Sequence, residues 1–337
     1  MKQETENKAL EEFAELMIKK IEKTSTDWKK PWFTEGLGWP INLQGREYNG
    51  MNALMLTLLC EDKGYKMPVF CTFDMMKFMN LEKTKGEWKR KTDNDGNQLP
   101  KVFIMNEEKS FPVFLTVFSV VNKDTKEKIK YDEYLTLSEK DKANYTVYPN
   151  YRVYRVFNID QSNLEEARPE MYAKFKEMFL KKKEEQHSDD YQFEPFDRMQ
   201  EKQGWICPIE EKYQNQAYYS ISKDMVLLPE RKQFDRGMDF YGTAFHEMAH
   251  STGKKGVLDR FDDKATERGR EELVAELSSS LVALKYGMGK VLEDDNAKYL
   301  KCWLDEIRES PKYIKSVLVD AKKASKMIID RLGTFDI

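Results

Sequence analysis

The sequence predicts an α+β fold, with an N-terminal helix-plus-antiparallel-sheet domain followed by a mainly helical domain. Three observations point there. The chain has 337 residues, 40% of them hydrophobic, which at roughly 100 to 200 residues per domain suits two cores. Residues 68–160 hold β-branched and aromatic runs bounded by polar clusters. The second half is dominated by apolar residues at helical spacing.

Taken in order, Ala9 to Lys23 places Leu10, Phe13, Leu16, Met17 and Ile21 on one face of an amphipathic helix. From Trp28 onward, Pro31, Gly36, Gly38, Pro40, Gly45 and Gly50 break any pattern. This stretch predicts an irregular, aromatic-rich loop that enters a helix over Met51–Cys60. The runs KVFIM (101–105), SFPVFLTVFSVV (110–121) and TVYPNYRVYRVFNI (146–159) read as strands, with TKGEWKRKTDNDGNQLP (84–100) as a flexible hairpin loop. The charge-dense stretch 164–196 suits a helical connector followed by an exposed loop. The domain boundary is expected inside it, near residue 168, giving domains 1–168 and 169–337. AYYSISKDMVLL (217–228) predicts one or two short strands, and residues 231–252 a loop entering a helix. Further helices are expected over Thr266–Tyr286, ended by Gly287 and Gly289, then Ala297–Arg308 and Pro311–Leu332.

Lys plus Arg is 56 and Asp plus Glu is 59, a net charge of -3. That excludes a polybasic chain, so any nucleic-acid contact must use a local patch. Cys60, Cys71, Cys207 and Cys302 form no close pair of the zinc-ribbon or redox kind and read as reduced thiols. The opening MKQETENKALEEF lacks a signal-peptide core, and no run nears the ~20 apolar residues of a membrane span. The expectation is a soluble, cytoplasmic protein with no membrane partner.

The sharpest chemical signal is His246, Glu247, Met248, Ala249, His250. On a helix the two imidazoles project from one face, one turn apart, and can reach one metal ion, while Glu247 sits beside them to take a proton from metal-bound water. The competing reading is two histidines on an ordinary packed helix. The chain has only three histidines, and the third, His187, lies in the charged connector. A downstream helix carries Glu271, Glu272 and Glu276. A two-histidine, one-glutamate zinc site takes its third ligand from such a separate element. Glu272 is expected as that ligand and Glu276 as the outer group that hydrogen-bonds a ligating histidine, with the reverse assignment open. Glu271 reads as a helix-dipole residue. Glu276 lies on the apolar stripe, where a lone carboxylate is costly. The expected cofactor is Zn2+ and the expected chemistry peptide hydrolysis, with Glu247 as the catalytic proton shuttle. Tyr241, Arg270 and Tyr286 remain open as donors to the oxyanion.

FYGTAFHEMAHSTG, GVLDR and REELVAELSSSLV resemble the zincin-like metallopeptidase domain of ArdC-type antirestriction proteins, and YYSISKDMVLLPERKQF resembles the strand segment before it. The first half is similar to that family's N-terminal single-stranded-DNA-binding domain through WKKPWF, PINLQGREYNGMNALML, EKSFPVF and VFNIDQ. The resemblance implies a bacterial protein of plasmids or conjugative elements that binds single-stranded DNA, helps incoming DNA survive restriction, and could pass to a recipient cell during conjugation. It also implies a protein substrate for the peptidase domain, and related domains occur in conjugation-associated primases. The alternative is a non-catalytic DNA-binding protein whose zinc domain is structural or regulatory. KRKTDNDGNQL (89–99) and the stretch Lys123–Lys142 depart from the shorter family members.

Single-stranded DNA binders combine aromatic platforms with local positive charge. Trp28, Lys30, Trp32, Arg46, Tyr48, Asn49 and Asn52 are the expected DNA contacts, against the alternative that the tryptophans are core and Asn52 caps a helix. Lys83, Lys85, Lys89, Arg90 and Lys91 around Trp88 form a second candidate patch.

Overall fold

In a computed structural model of the chain, residues 2–26, 38–48, 50–84, 86–184, 191–261, 268–289 and 299–336 are described. The N-terminal half begins with α1 (Lys2–Thr26), β1 (Ile41–Asn42), α2 (Gly50–Lys63), β2 (Val69–Cys71), α3 (Phe73–Phe78), β3 (Leu81–Thr84) and β4 (Glu87–Arg90). It continues through β5 (Phe111–Asn122), β6 (Lys128–Ile129), α4 (Tyr131–Thr136), α5 (Glu139–Lys142), β7 (Tyr145–Asn158) and α6 (Leu164–Ala167). The rest runs α7 (Pro169–Glu184), α8 (Glu194–Glu201), β8 (Ile209–Lys212), β9 (Tyr218–Ser220), β10 (Met225–Pro229), α9 (Gly237–Ser251), α10 (Arg268–Lys285), α11 (Leu300–Glu309) and α12 (Pro311–Gly333).

The fold is α+β. The main sheet has the order β1-β2-β7-β5-β6 and is mixed rather than antiparallel throughout, because β1 and β2 pair in parallel. A parallel pair needs a crossover, and α2 supplies it. The long pair β5–β7 runs antiparallel from Phe111↔Val156 to Asn122↔Tyr145. KVFIM is not a strand, although its burial alternates: Val102 is buried while Phe103 and Met105 are exposed. Its backbone is held by side chains and loops instead. Asn80 accepts from the Val102 N–H at 2.7 Å and donates to its carbonyl at 2.8 Å, and Asn163 accepts from the Phe103 N–H. The polar stretch after residue 84 is the returning half of a short hairpin, β3 on β4.

Phe13 on α1 stacks on Phe111 at 5.4 Å and meets Phe114 edge-on at 5.3 Å, contacts worth about 0.5–1.5 kcal/mol each beyond burial. The same helix packs against α11 and α12. One core cluster therefore joins α1, α2 and the sheet to Leu273, Val274, Leu277 and Leu281 of α10 and to Trp303, Ile314 and Val317 beyond it. A second cluster covers the opposite side of α10 through Ala275, Val282 and Ala283, together with Phe245, Met248 and Ala249 of α9. The helix carrying the acidic residues is thus enclosed from Leu273 to Leu284. It ends where Gly287 adopts φ 73°, with the Gly287 N–H bonded to Leu284 O and the Met288 N–H to Ala283 O, a pair of bonds that closes the last turn. In the small sheet β8-β10-β9, β10 runs parallel to β8 and antiparallel to β9, and it packs on α9. Residue 168 falls between α6 and α7. Among the described residues no helix is long and apolar enough to cross a membrane.

Candidate metal centre

His246 and His250 lie one turn apart on α9, and the packing of α10 against α9 brings three glutamates to them. The His246 and His250 Nε2 atoms face each other at 3.1 Å. Glu272 Oε2 lies 3.5 Å from the first and 3.4 Å from the second. These three donors form a nearly equilateral triangle. Ligands at about 2.0–2.1 Å in a tetrahedral zinc site would stand roughly 3.3 Å apart, so the observed edges fit a single divalent ion. His246, His250 and Glu272 are also the only such group of three among the described residues.

The far side of each imidazole meets another carboxylate. Glu276, fully buried, has Oε2 at 3.3 Å from His246 Nδ1. Glu271 has Oε1 at 3.3 Å from His250 Nδ1. Such contacts fix which ring nitrogen points at an ion and raise its basicity. Sequence reasoning left Glu271 as a helix-dipole residue, and the structure gives it this further contact.

Arg260 was also missed. Its Nε and Nη2 bond both oxygens of Glu271 at 2.9 and 2.7 Å, while Nη1 donates to Thr252 Oγ1 and Nη2 to Ala249 O, each at 2.8 Å. One guanidinium therefore ties the C-terminal end of α9, where positive charge is favoured, to the first turn of α10. Gly253 makes room for it, since a Cβ there would lie 3.1 Å from Arg260 Nη2 and 2.9 Å from Phe261 Cζ. The available signal was the run HSTG…GVLDR, in which a small residue and an arginine follow the histidine pair closely.

The electrostatics favour a cation. Burial opposes protonation of His250, but its contacts to Glu271 and Glu272 outweigh that and raise its pKa to about 9. Burial works against the charged form of Glu272 too, yet the two histidines hold its pKa well below the usual carboxylate range. Glu247 is buried on α9, and its charge is felt by His250. The Tyr241 hydroxyl is engaged elsewhere, with Asp197, Arg231 and the Phe193 N–H. Arg270 pairs with Asp320 at 2.6 Å. Tyr286 packs against Phe193.

Of the expected DNA contacts, Trp28, Lys30, Trp32 and Asn49 lie outside the described residues, as do His187 and Lys85. Arg46 is exposed in a tight turn whose N–H bonds go to Asn42 Oδ1. Tyr48 is half-buried against the core and edge-on to Phe70, and burial raises its hydroxyl pKa. Asn52 does not face solvent. It lies inside α2 rather than at its cap, 2% exposed. Its amide accepts from the Phe114 N–H at 2.9 Å and donates to Phe114 O at 2.8 Å, which satisfies the outer edge of β5 as a neighbouring strand would. The VFNIDQ run is equally structural: Asn158 donates to Met67 O, and Gln161 accepts from the Asn158 N–H.

A histidine pair on one helix and a glutamate on the next, facing each other under a small sheet, define a zincin-like domain. The zincin-like metallopeptidase family matches residues 197–318, and the N-terminal domain of anti-restriction factor ArdC matches residues 7–157. The first half of the chain is thus similar to an ArdC N-terminal domain and the second to a zincin-like domain. Its fold is shared with antirestriction ArdC from plasmid R388: 22% identity and TM-score 0.66 to the metal-free crystal structure, over 98% of each chain. The Mn(II)-bound form gives 21% and 0.64, over 97% of this chain and 98% of that one. Among curated relatives, DNA primase TraC of Escherichia coli is 25% identical over 330 residues, which is 95% of this chain and 27% of the primase. The chain thus spans about a quarter of that relative's length.

Proposed function

We propose that the chain is an antirestriction protein of a plasmid or conjugative element. On this reading residues 1–168 bind single-stranded DNA and residues 169–337 form a zinc-dependent peptidase domain. It acts in the bacterial cytoplasm, or in a recipient cell after transfer. The observation that carries the enzymatic half is the triangle of His246, His250 and Glu272 with edges of 3.1 to 3.5 Å. Its donor set, two imidazoles and one carboxylate, is that of catalytic zinc sites with a position left for water.

His246, His250 and Glu272 would hold the zinc ion, which would supply Lewis acidity and lower the pKa of water towards ~7 there. Glu247 accepts the proton at its carboxylate and returns it to the leaving amine. Glu276 and Glu271 hold the two rings in register from behind, and Arg260 fixes Glu271. The burial of Glu247 and His246 keeps bulk water from the proton path.

A second reading is a DNA-binding module without turnover, its metal structural or regulatory, working beside a primase activity. The alignment of 95% of the chain to a primase favours it. Incubation of the zinc-loaded protein and of Glu247→Gln with a casein substrate separates the two. Cleavage by the first and none by the second supports the peptidase. No cleavage by either, with one zinc bound, supports the module. The DNA half is tested by binding to single-stranded and duplex oligonucleotides, where preference for the single strand is expected.

A further inference from the structure

The β3–β4 hairpin separates its charges by face. In the register Leu81↔Arg90, Glu82↔Lys89, Lys83↔Trp88, Thr84↔Glu87, directly opposed residues share a face and alternate residues along a strand do too. One face therefore carries Leu81, Lys83, Trp88 and Arg90, without an acid. The other carries Glu82, Thr84, Glu87 and Lys89, and there Lys89 pairs with Glu87 at 3.8 Å. The cationic face is extended by Phe78 of α3, whose ring lies 5.1 Å from that of Trp88. Both rings are largely open to solvent, Phe78 at 47% and Trp88 at 55%.

A second guanidinium stands beside Arg90. Arg90 donates to Leu99 O and Arg168 to Pro100 O at 2.7 Å, so both are anchored on adjacent residues of one loop, near enough for Arg168 to feel the charge of Arg90. Neither they nor Lys83 form an ion pair among the described residues. Burial, and then the charge of Arg90, lower the Arg168 pKa, and its Nη2 is a buried atom with no hydrogen-bond partner among the described residues. Lys83 and Arg90 on one face with Arg168 near it, none of them ion-paired among the described residues, suit a polyanion, and the exposed indole on the same face suits a flat ring.

We infer that this face of the hairpin, Phe78, Lys83, Trp88 and Arg90 with Arg168 at its edge, is a binding surface for single-stranded polynucleotide, with an unpaired base stacked on Trp88, phosphates on Lys83 and Arg90, and Arg168 adding its positive charge from behind. Aromatic platforms beside cations are how single strands are held without sequence preference, and a duplex keeps its bases out of reach. The inference rests on the DNA-binding part of the proposed function and assigns it a place that neither Arg46 nor Tyr48 supplies.

The test uses the full chain, a fluorescent thymidine oligonucleotide, the corresponding duplex, and vesicles of phosphatidylcholine and phosphatidylglycerol. Trp88→Ala is expected to weaken single-strand binding about five-fold or more. Lys83→Ala/Arg90→Ala is expected to flatten the dependence of log affinity on log salt by about 1.4, at roughly 0.7 per lost phosphate contact. Lys89→Ala, which removes the same charge from the opposite face, is expected to match wild type. The inference is overturned if Lys89→Ala alters binding as much as Lys83→Ala/Arg90→Ala, if duplex binds as well as single strand, or if vesicles are the better ligand. A wild type that binds no oligonucleotide overturns both this surface and the DNA reading. A wild type that binds, with Trp88→Ala and Lys83→Ala/Arg90→Ala indistinguishable from it, removes this surface alone.

Discussion

Arg260→Ala should damage both the stability of the chain and its hold on metal, and the geometry sets the size of each effect. The Arg260 side chain is 3% exposed and that of Glu271 13%, so the pair is screened little by solvent. Removing the arginine leaves the largely buried Glu271 carboxylate with only its contact to His250, and deletes bonds to Thr252 and Ala249. Breaking a buried pair from one side costs about 3 kcal/mol or more. With an unfolding entropy of roughly 2.1 cal/mol/K per residue, a chain melting as one unit would lose on the order of 4 °C in Tm. Glu271 would also no longer be held against His250 Nδ1, and loss of such an outer partner typically weakens metal binding about 10- to 100-fold. Scanning calorimetry of the metal-free protein and zinc competition against a chromophoric chelator read the two effects separately. Arg260→Lys, which keeps charge but not the two-pronged contact, should fall between. An Arg260→Ala protein with unchanged Tm and unchanged zinc affinity would refute the proposed coupling of α9 to α10.

Three further outcomes follow from the same geometry. Asn52→Ala loses two buried hydrogen bonds to Phe114 and should destabilise the chain by about 1–3 kcal/mol, visible as a shifted urea midpoint; an unshifted midpoint would mean that the β5 edge does not depend on it. Zinc affinity should rise with pH, by up to about tenfold per unit below pH ~9, because His250, raised to about 9, must lose its proton to bind metal; a flat profile between pH 6 and 8 would contradict the charge state assigned to it. The folded-state value of His250 lies above the unfolded one of about 6.5, so the stability it contributes to the metal-free protein is fully present below that pH. That contribution should fade as pH rises towards 9, seen as a falling Tm that saturating zinc abolishes.

The sequence carried the helical architecture well, because long amphipathic stretches such as α1 and α12 have a period that packing only confirms. It carried the histidine pair for the same reason, since spacing on one helix is local. What it did not carry is whatever depends on a distant partner. Val102 and Phe103 alternate like a strand, yet their backbone partners are the side chains of Asn80 and Asn163. The parallel β1–β2 pair depends on how α2 crosses over. Asn52 looks like a cap or a DNA contact until β5 is placed beside it. Arg260 and Glu271 are ordinary surface residue types, and only the approach of α10 to α9 makes them part of the centre.

The central claim is that one ion sits among His246, His250 and Glu272. A zinc-loaded crystal structure, with elemental analysis of the same preparation, tests it most directly. One zinc per chain, about 2.0–2.2 Å from both Nε2 atoms and a Glu272 oxygen, with Glu276 on His246 Nδ1, is the expected result. A protein that takes up no zinc, or an ion ligated by Glu276 with Glu272 turned away, would contradict it.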